Sequence, residues 1–114
     1  MFFKNKKAQS AENDLLLLCS QYAPQSPITE PIKLTVEFAF PWRASEPLKR
    51  KALGRAPHTS RPDCSNIIKI IEDVLTKLGF WKDDSLIADL CVRKFWGDQV
   101  GITVRIEPIN NQSI

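Results

Sequence analysis

Long apolar runs are missing from this sequence. The longest, Leu15 to Cys19, falls far short of the ~20 residues that cross a bilayer. The opening Met1-Phe2-Phe3-Lys4-Asn5-Lys6-Lys7 holds no apolar stretch ahead of a small-residue cleavage site, so no secretory signal is expected. Cysteine is scarce and odd in number (Cys19, Cys64, Cys91) with no CxxC, which argues against a disulfide framework and against a cysteine zinc site. Histidine is rarer still, and His58, alone in a loop, reads as a surface residue rather than a ligand. Internal repeats and low-complexity tracts are absent. What remains is a 114-residue chain, 43% hydrophobic and 25% charged, the profile of one folded domain over 1–114 with a single core. A reducing cytoplasm, no membrane partner and no small-molecule cofactor are the expectations.

The net charge is only +3, but its distribution is uneven. Arg43, Lys49, Arg50, Lys51, Arg55 and Arg61 face one acid, Glu46, and Lys4, Lys6 and Lys7 crowd the start. Acids gather later, at Asp63, Glu72, Asp73, Asp83, Asp84 and Asp89. A basic segment beside an acidic cluster suggests phosphate binding next to a metal site. A solvated loop beside a solvated helix face would look the same.

Hydrophobic periodicity divides the chain. Residues 9–23 read as a helix with an apolar stripe over Leu15–Cys19 and Tyr22, ended by Pro24. Ile32, Leu34, Val36, Phe38 and Phe40 alternate with polar residues as in a half-buried strand, ended by Pro41. Residues 41–62, basic and proline-rich, read as a long loop. Ile67, Ile70, Ile71, Val74, Leu75 and Leu78 give a second helix one apolar face over 66–78, with Gly79 past its end. Two strands follow, near 86–96 and 100–107. Leu86, Ala88, Leu90 and Val92 share one face of the first; Val100, Ile102, Val104 and Ile106 share one face of the second. Gly97-Asp98-Gln99 would turn the first strand into the second as a hairpin. The order α-β-α-β-β predicts an α+β fold, a small mixed or antiparallel sheet packed on helices.

Acidic groups flank the second helix, Asp63 before it and Asp83-Asp84 after it. Hard cations take oxygen ligands, and magnesium commonly uses one or two carboxylates plus phosphate oxygens. Paired aspartates therefore suit metal-assisted phosphodiester cleavage. The helix is ~20 Å long, so its two ends meet at one site only if the next strand runs back along it or the loop 79–85 folds back. Each residue also has a plainer role. Asp63 or Ser65 suits a helix cap, Asp83-Asp84 a turn, Lys69 a solvated helix surface, and Trp81 and Phe95-Trp96 the core or its rim.

Together, Asp63, Asn66, Lys69, Asp73, Gly79, Asp83 and Asp84 follow a pattern Asp-x-Asp-Asn-x-x-Lys, a helix with an internal Asp, then Gly-x-x-x-Asp-Asp before a strand. In this the chain resembles the RusA family of Holliday junction resolvases, from the strand at 32–40 to the end. The resemblance implies a RusA-like α+β domain and a small homodimeric endonuclease of DNA recombination and repair, often encoded by phages or prophages. It implies dependence on Mg2+, with Mn2+ as a substitute, and nicking of opposed strands in four-way junction DNA. Asp63, Lys69 and Asp84 would be catalytic. Asp63 and Asp84 would hold the metal with Asp83 nearby, and Lys69 would position the phosphate or stabilise its charge. Lys49, Arg50, Lys51, Arg55 and Arg61, with Lys4, Lys6 and Lys7, would grip DNA phosphates. A two-fold dimer would present two such sites to a two-fold junction.

Two departures accompany the resemblance. The second aspartate of the pattern is Ser65 here, a neutral hydroxyl, a poorer magnesium ligand and no base. Family members also carry a strand and a basic segment before the first helix, where this chain has only Met1 to Lys7. The expectation is a junction endonuclease of reduced activity. The alternative is a non-catalytic junction or DNA-binding module of the same fold; a third reading is a structural dimer whose acids only cap and turn.

Overall fold

The computed structural model describes residues 15–109. Residues 15–20 are helical (α1), and the helix gives way to a turn at 21–22 instead of reaching residue 23; its expected start over 9–14 lies outside the described residues, as do Lys4, Lys6 and Lys7. Then come β1 (Ile32–Pro41), α2 (Leu48–Lys51), β2 (Arg55–Pro57), α3 (Cys64–Lys77), a 3-10 turn at Asp84–Leu86, β3 (Ile87–Gly97) and β4 (Gly101–Pro108). The strands form one mixed sheet in the order β2-β3-β1-β4.

β1 is central, parallel to β3 and antiparallel to β4. The parallel pair follows from the connection, since a strand, a crossover helix and a second strand return the chain in the same direction. Strands on both sides explain why Thr35 and Ala39, which alternate away from the apolar row, are nevertheless buried. The expected hairpin between the last two strands does not form: β4 pairs with β1, from Ile32↔Pro108 to Ala39↔Gly101. The outer edge of β3 is already taken by β2 at Phe95–Gly97, so the open partner for β4 is the far edge of β1. Residues 98–100 carry the chain past the end of β1, where Trp42 Nε1 donates to Asp98 Oδ1 at 2.9 Å.

A second correction concerns alternation at the start of β3. The register shifts between Ile32 and Lys33, so Ile87 lies opposite Ile32 and Leu90 opposite Leu34. The irregularity exchanges faces: Ile87 packs against the core while Ala88 is exposed. Downstream, Leu90, Val92, Lys94 and Trp96 lie in register with Leu34, Val36, Phe38 and Phe40 of β1.

α3 lays Ile67, Ile68, Ile71, Val74 and Leu75 on the apolar row of β1. Its end matches the sequence reading. Gly79 has φ +78°, Gly79 N–H donates to Thr76 O and Phe80 N–H to Leu75 O, a Schellman closure. Trp81, only 1% exposed, donates from Nε1 to Thr76 Oγ1 at 2.8 Å. Ile28 brackets the same segment, donating to Phe80 O and accepting from Lys82 N–H. These bonds fix the approach to Asp83 and Asp84.

Candidate active site at the entry to the long helix

α3 begins two residues earlier than its apolar pattern suggests, with Asp63 as N-cap residue. Asp63 O accepts from Asn66 N–H and Ile67 N–H at 3.0 Å each, which starts the helix. The Asp63 side chain makes no capping bond and is exposed. The capping role that an aspartate here would ordinarily take is therefore left unfilled, and its carboxylate faces solvent at the positive end of a helix.

The segment before Asp63 is tied down from three sides. Lys94 Nζ donates to Ser60 O at 2.7 Å and to Pro62 O at 2.8 Å. Arg43 Nη2 donates to Ser60 Oγ, and its guanidinium stacks 4.9 Å from the Trp96 ring centroid. His58 N–H continues the β2–β3 ladder to Lys94 O. Contrary to the surface role expected for it, His58 is 6% exposed. Its ring lies 4.1 Å from Phe40 and 4.2 Å from Trp96 between centroids, and Nδ1 has no hydrogen-bond partner among the described residues. Burial pushes the imidazole pKa down, and the positive charge of Lys94 adds to this.

Lys94 was not among the residues the sequence singled out, although a signal was present. It is the one charged member of the row Leu90, Val92, Lys94, Trp96, and a charge in an apolar row needs partners.

Ser65 and Lys69 are exposed near the start of α3. With Glu72 they recur at four- and seven-residue spacing, one face of the helix. Burial pushes the Glu72 carboxyl up, and the nearby charge of Asp84 adds to it. Asp84 thus acts on the middle of α3, ~13 Å along the axis from Asp63 at 1.5 Å per residue. β3 runs back along α3, so its far end brings Lys94, rather than a carboxylate, to the helix entry. Asp83 differs from its neighbour: its Oδ2 accepts from Ser85 Oγ at 2.7 Å. That hydroxyl, and next Asp84, hold the Asp83 carboxyl below its usual range.

Among the described residues no group of three or more His, Cys, Asp or Glu side chains converges for a metal. Magnesium needs only one or two protein carboxylates when phosphate oxygens and water complete its shell. Asp63, uncommitted at the helix entry, and Asp84, reaching the middle of α3, do not converge on one ion; each fits an open site completed by a DNA phosphate and water, and neither fits a closed all-protein cage.

The basic segment is more structured than a loop. α2 buries none of its residues and carries Lys49, Arg50 and Lys51. Arg50 is paired with Glu46 at 2.7 Å. Arg55, on β2, stacks 5.0 Å over the Phe95 ring, and Arg61 is exposed directly before Pro62 and Asp63. Arg61 thus adjoins the Asp63 entry in sequence, while Arg55, over Phe95, lies on the sheet face away from Lys94 and Trp96.

A family model described as Endodeoxyribonuclease RusA matches residues 1–107. YqaN, an uncharacterized protein of Bacillus subtilis (strain 168), is 29% identical over 109 residues, covering 91% of this chain and 76% of that protein. The crossover junction endodeoxyribonuclease rusA of Lactococcus phage r1t is 33% identical over 79 residues, 69% of this chain and 56% of the phage protein. The match thus spans just over half the phage protein's length.

Proposed function

Because the chain belongs to the endodeoxyribonuclease RusA family, we propose that it is a magnesium-dependent endonuclease that binds four-way DNA junctions as a homodimer and nicks opposed strands, acting in the cytoplasm and of phage or prophage origin. The observation that carries this reading is the state of Asp63: backbone bonded on both sides, carboxylate committed to no cap. A functional carboxylate needs its main chain held and its oxygens available.

In this reading Asp63 would hold the ion at the helix entry together with a scissile phosphate, and Asp84 would contribute a carboxylate farther along α3. Magnesium, when bound, offsets charge developing on the phosphate and activates a water for attack. Lys69, on the exposed face of α3, orients the phosphate or stabilises its charge. The α2 tip, Arg55 and Arg61 grip neighbouring phosphates and set the register of the duplex arms. Ser65 adds no charge at the helix entry, so the site works with one carboxylate fewer than the family pattern and turns over slowly. Asp83, satisfied by Ser85, shapes the turn that presents Asp84. A second reading, a junction-binding module that no longer cuts, is favoured by the absence of three converging metal donors among the described residues.

A synthetic four-way junction, labelled on each strand in turn, separates the two. Paired nicks that require Mg2+ or Mn2+, vanish with chelator and are lost in Asp63→Asn and Asp84→Asn support the nuclease. Binding without nicks under every condition supports the module.

A further inference from the structure

The bonds made by Lys94 have a use beyond packing. Its ammonium lies in an otherwise apolar row and donates to the carbonyls of Ser60 and Pro62. Pro62 C=O belongs to the peptide that enters Asp63; Asp63 C=O belongs to the peptide that leaves it and is held by Asn66 and Ile67. Both peptide planes around Asp63 are therefore fixed, one by β3 and one by the helix itself. Only the two side-chain torsions of Asp63 remain free: χ1 falls into three staggered wells, and χ2 is broad and roughly two-fold.

We infer that Lys94 is a positioning residue for Asp63: it ties the entry of α3 to the sheet and thereby sets where the Asp63 carboxylate meets the phosphate. The inference deepens the nuclease reading and rests on it for its kinetic consequence. An ammonium suits the task because it offers three donors and accepts nothing, so it can hold two carbonyls without competing for a cation. Its charge also sits next to the helix N-terminus, where it favours anionic partners. Arg43 reinforces the clamp through the Ser60 hydroxyl. Displacement of a catalytic group by about 1 Å costs roughly 100-fold in rate, so a loosened entry should lower turnover before it lowers DNA affinity.

The test compares Lys94→Met, Lys94→Arg and, as a control that loosens the same strand without touching 60–63, Val92→Ala. Each is measured for junction Kd, single-turnover nicking rate and backbone amide spectrum. The expected result for Lys94→Met is a nicking rate down at least ~10-fold, a Kd within about twofold, and amide shifts concentrated at 61–66. Lys94→Arg, which still reaches both carbonyls, retains most of the rate, and Val92→Ala leaves the amides of 61–66 in place. An unchanged rate in Lys94→Met, or an equal loss in Val92→Ala, overturns the inference. If Lys94→Met does not fold, Lys94→Gln takes its place: a partial loss of rate upholds the inference and full activity overturns it. If the wild-type chain does not nick, the nuclease reading fails on its own, and the amide spectrum decides: shifts confined to 61–66 uphold the positioning role, and an unperturbed 61–66 overturns it.

Discussion

The two ends of α3 treat their aspartates in opposite ways. At the entry, Asp63 has its main chain bonded on both sides and its carboxylate uncommitted. Past the exit, Asp83 spends its carboxylate on Ser85, and the main chain leading to it is fixed by the Schellman closure and by Ile28. An acid that completes a turn is structural, and one that is held but unsatisfied is available for chemistry. Asp84, exposed beside Asp83, adds to Ser85 in holding the Asp83 carboxyl down and to burial in pushing the Glu72 carboxyl up, so it acts from the exit side of the helix.

The largest expected effect breaks the comparison at its centre. Asp63→Asn should lower junction nicking at least ~100-fold, since loss of a metal-holding carboxylate removes several kcal/mol of transition-state stabilisation. Asp83→Asn should leave the rate near wild type. Equal losses in single-turnover assays would erase the distinction between the two ends.

Next in size is Ser65→Asp. A carboxylate in the first turn of α3 is compatible with the helix dipole, so the fold should hold. One further oxygen ligand two residues from Asp63 should tighten Mn2+ binding by about 10-fold, roughly 1.4 kcal/mol, and raise nicking. Calorimetry with Mn2+ and the same assay check both; a wild type that already cuts as fast as Ser65→Asp would show that the missing carboxylate is dispensable.

The α2 tip sharpens the contrast by separating grip from chemistry. Neutralising Lys49, Arg50 and Lys51 together should weaken binding to every junction sequence alike, and the slope of log affinity against log salt should fall by up to ~0.9 for each phosphate no longer neutralised. Arg50 contributes least because Glu46 already pairs with it. The nicking rate at saturating protein should change little. An unchanged salt slope would remove the tip from the DNA path.

The smallest effect concerns pH. The folded-state pKa of His58 lies below its ordinary value, so the unfolded chain takes up the proton more readily. The stability tied to neutral His58 is complete above the unfolded value of about 6.5. It is lost as pH falls from there through the folded value, and the loss then levels off. Thermal melts between pH 7.5 and pH 5 should show wild type losing more than His58→Phe; parallel curves would mean that the imidazole titrates normally.

Much of this was legible in the sequence, for identifiable reasons. β1 and α3 carry uninterrupted period-two and period-3.6 apolar patterns, and Gly79 occupies the one position where positive φ closes the helix. The acidic residues announced themselves by type and spacing. Three things did not. The partner of β4 depends on which sheet edge is free, and β2, three residues within a basic stretch, is too short to show any periodicity. The anchoring of the α3 entry depends on Lys94, and its bonds run across more than 30 positions of sequence. His58 looked like a loop histidine because Phe40 and Trp96, which enclose it, come from two other strands.

The central claim is that Asp63, at the entry of α3, and not Asp83 in the exit turn, offers a carboxylate that takes a divalent ion. Titrating the 15N-labelled protein with substoichiometric Mn2+, and following paramagnetic broadening of each amide, tests it without requiring turnover. The account predicts broadening centred on 63–66 and at Asp84, abolished at 63–66 by Asp63→Asn and unaffected by Asp83→Asn. Broadening that leaves 63–66 sharp, or that survives Asp63→Asn there, would contradict it.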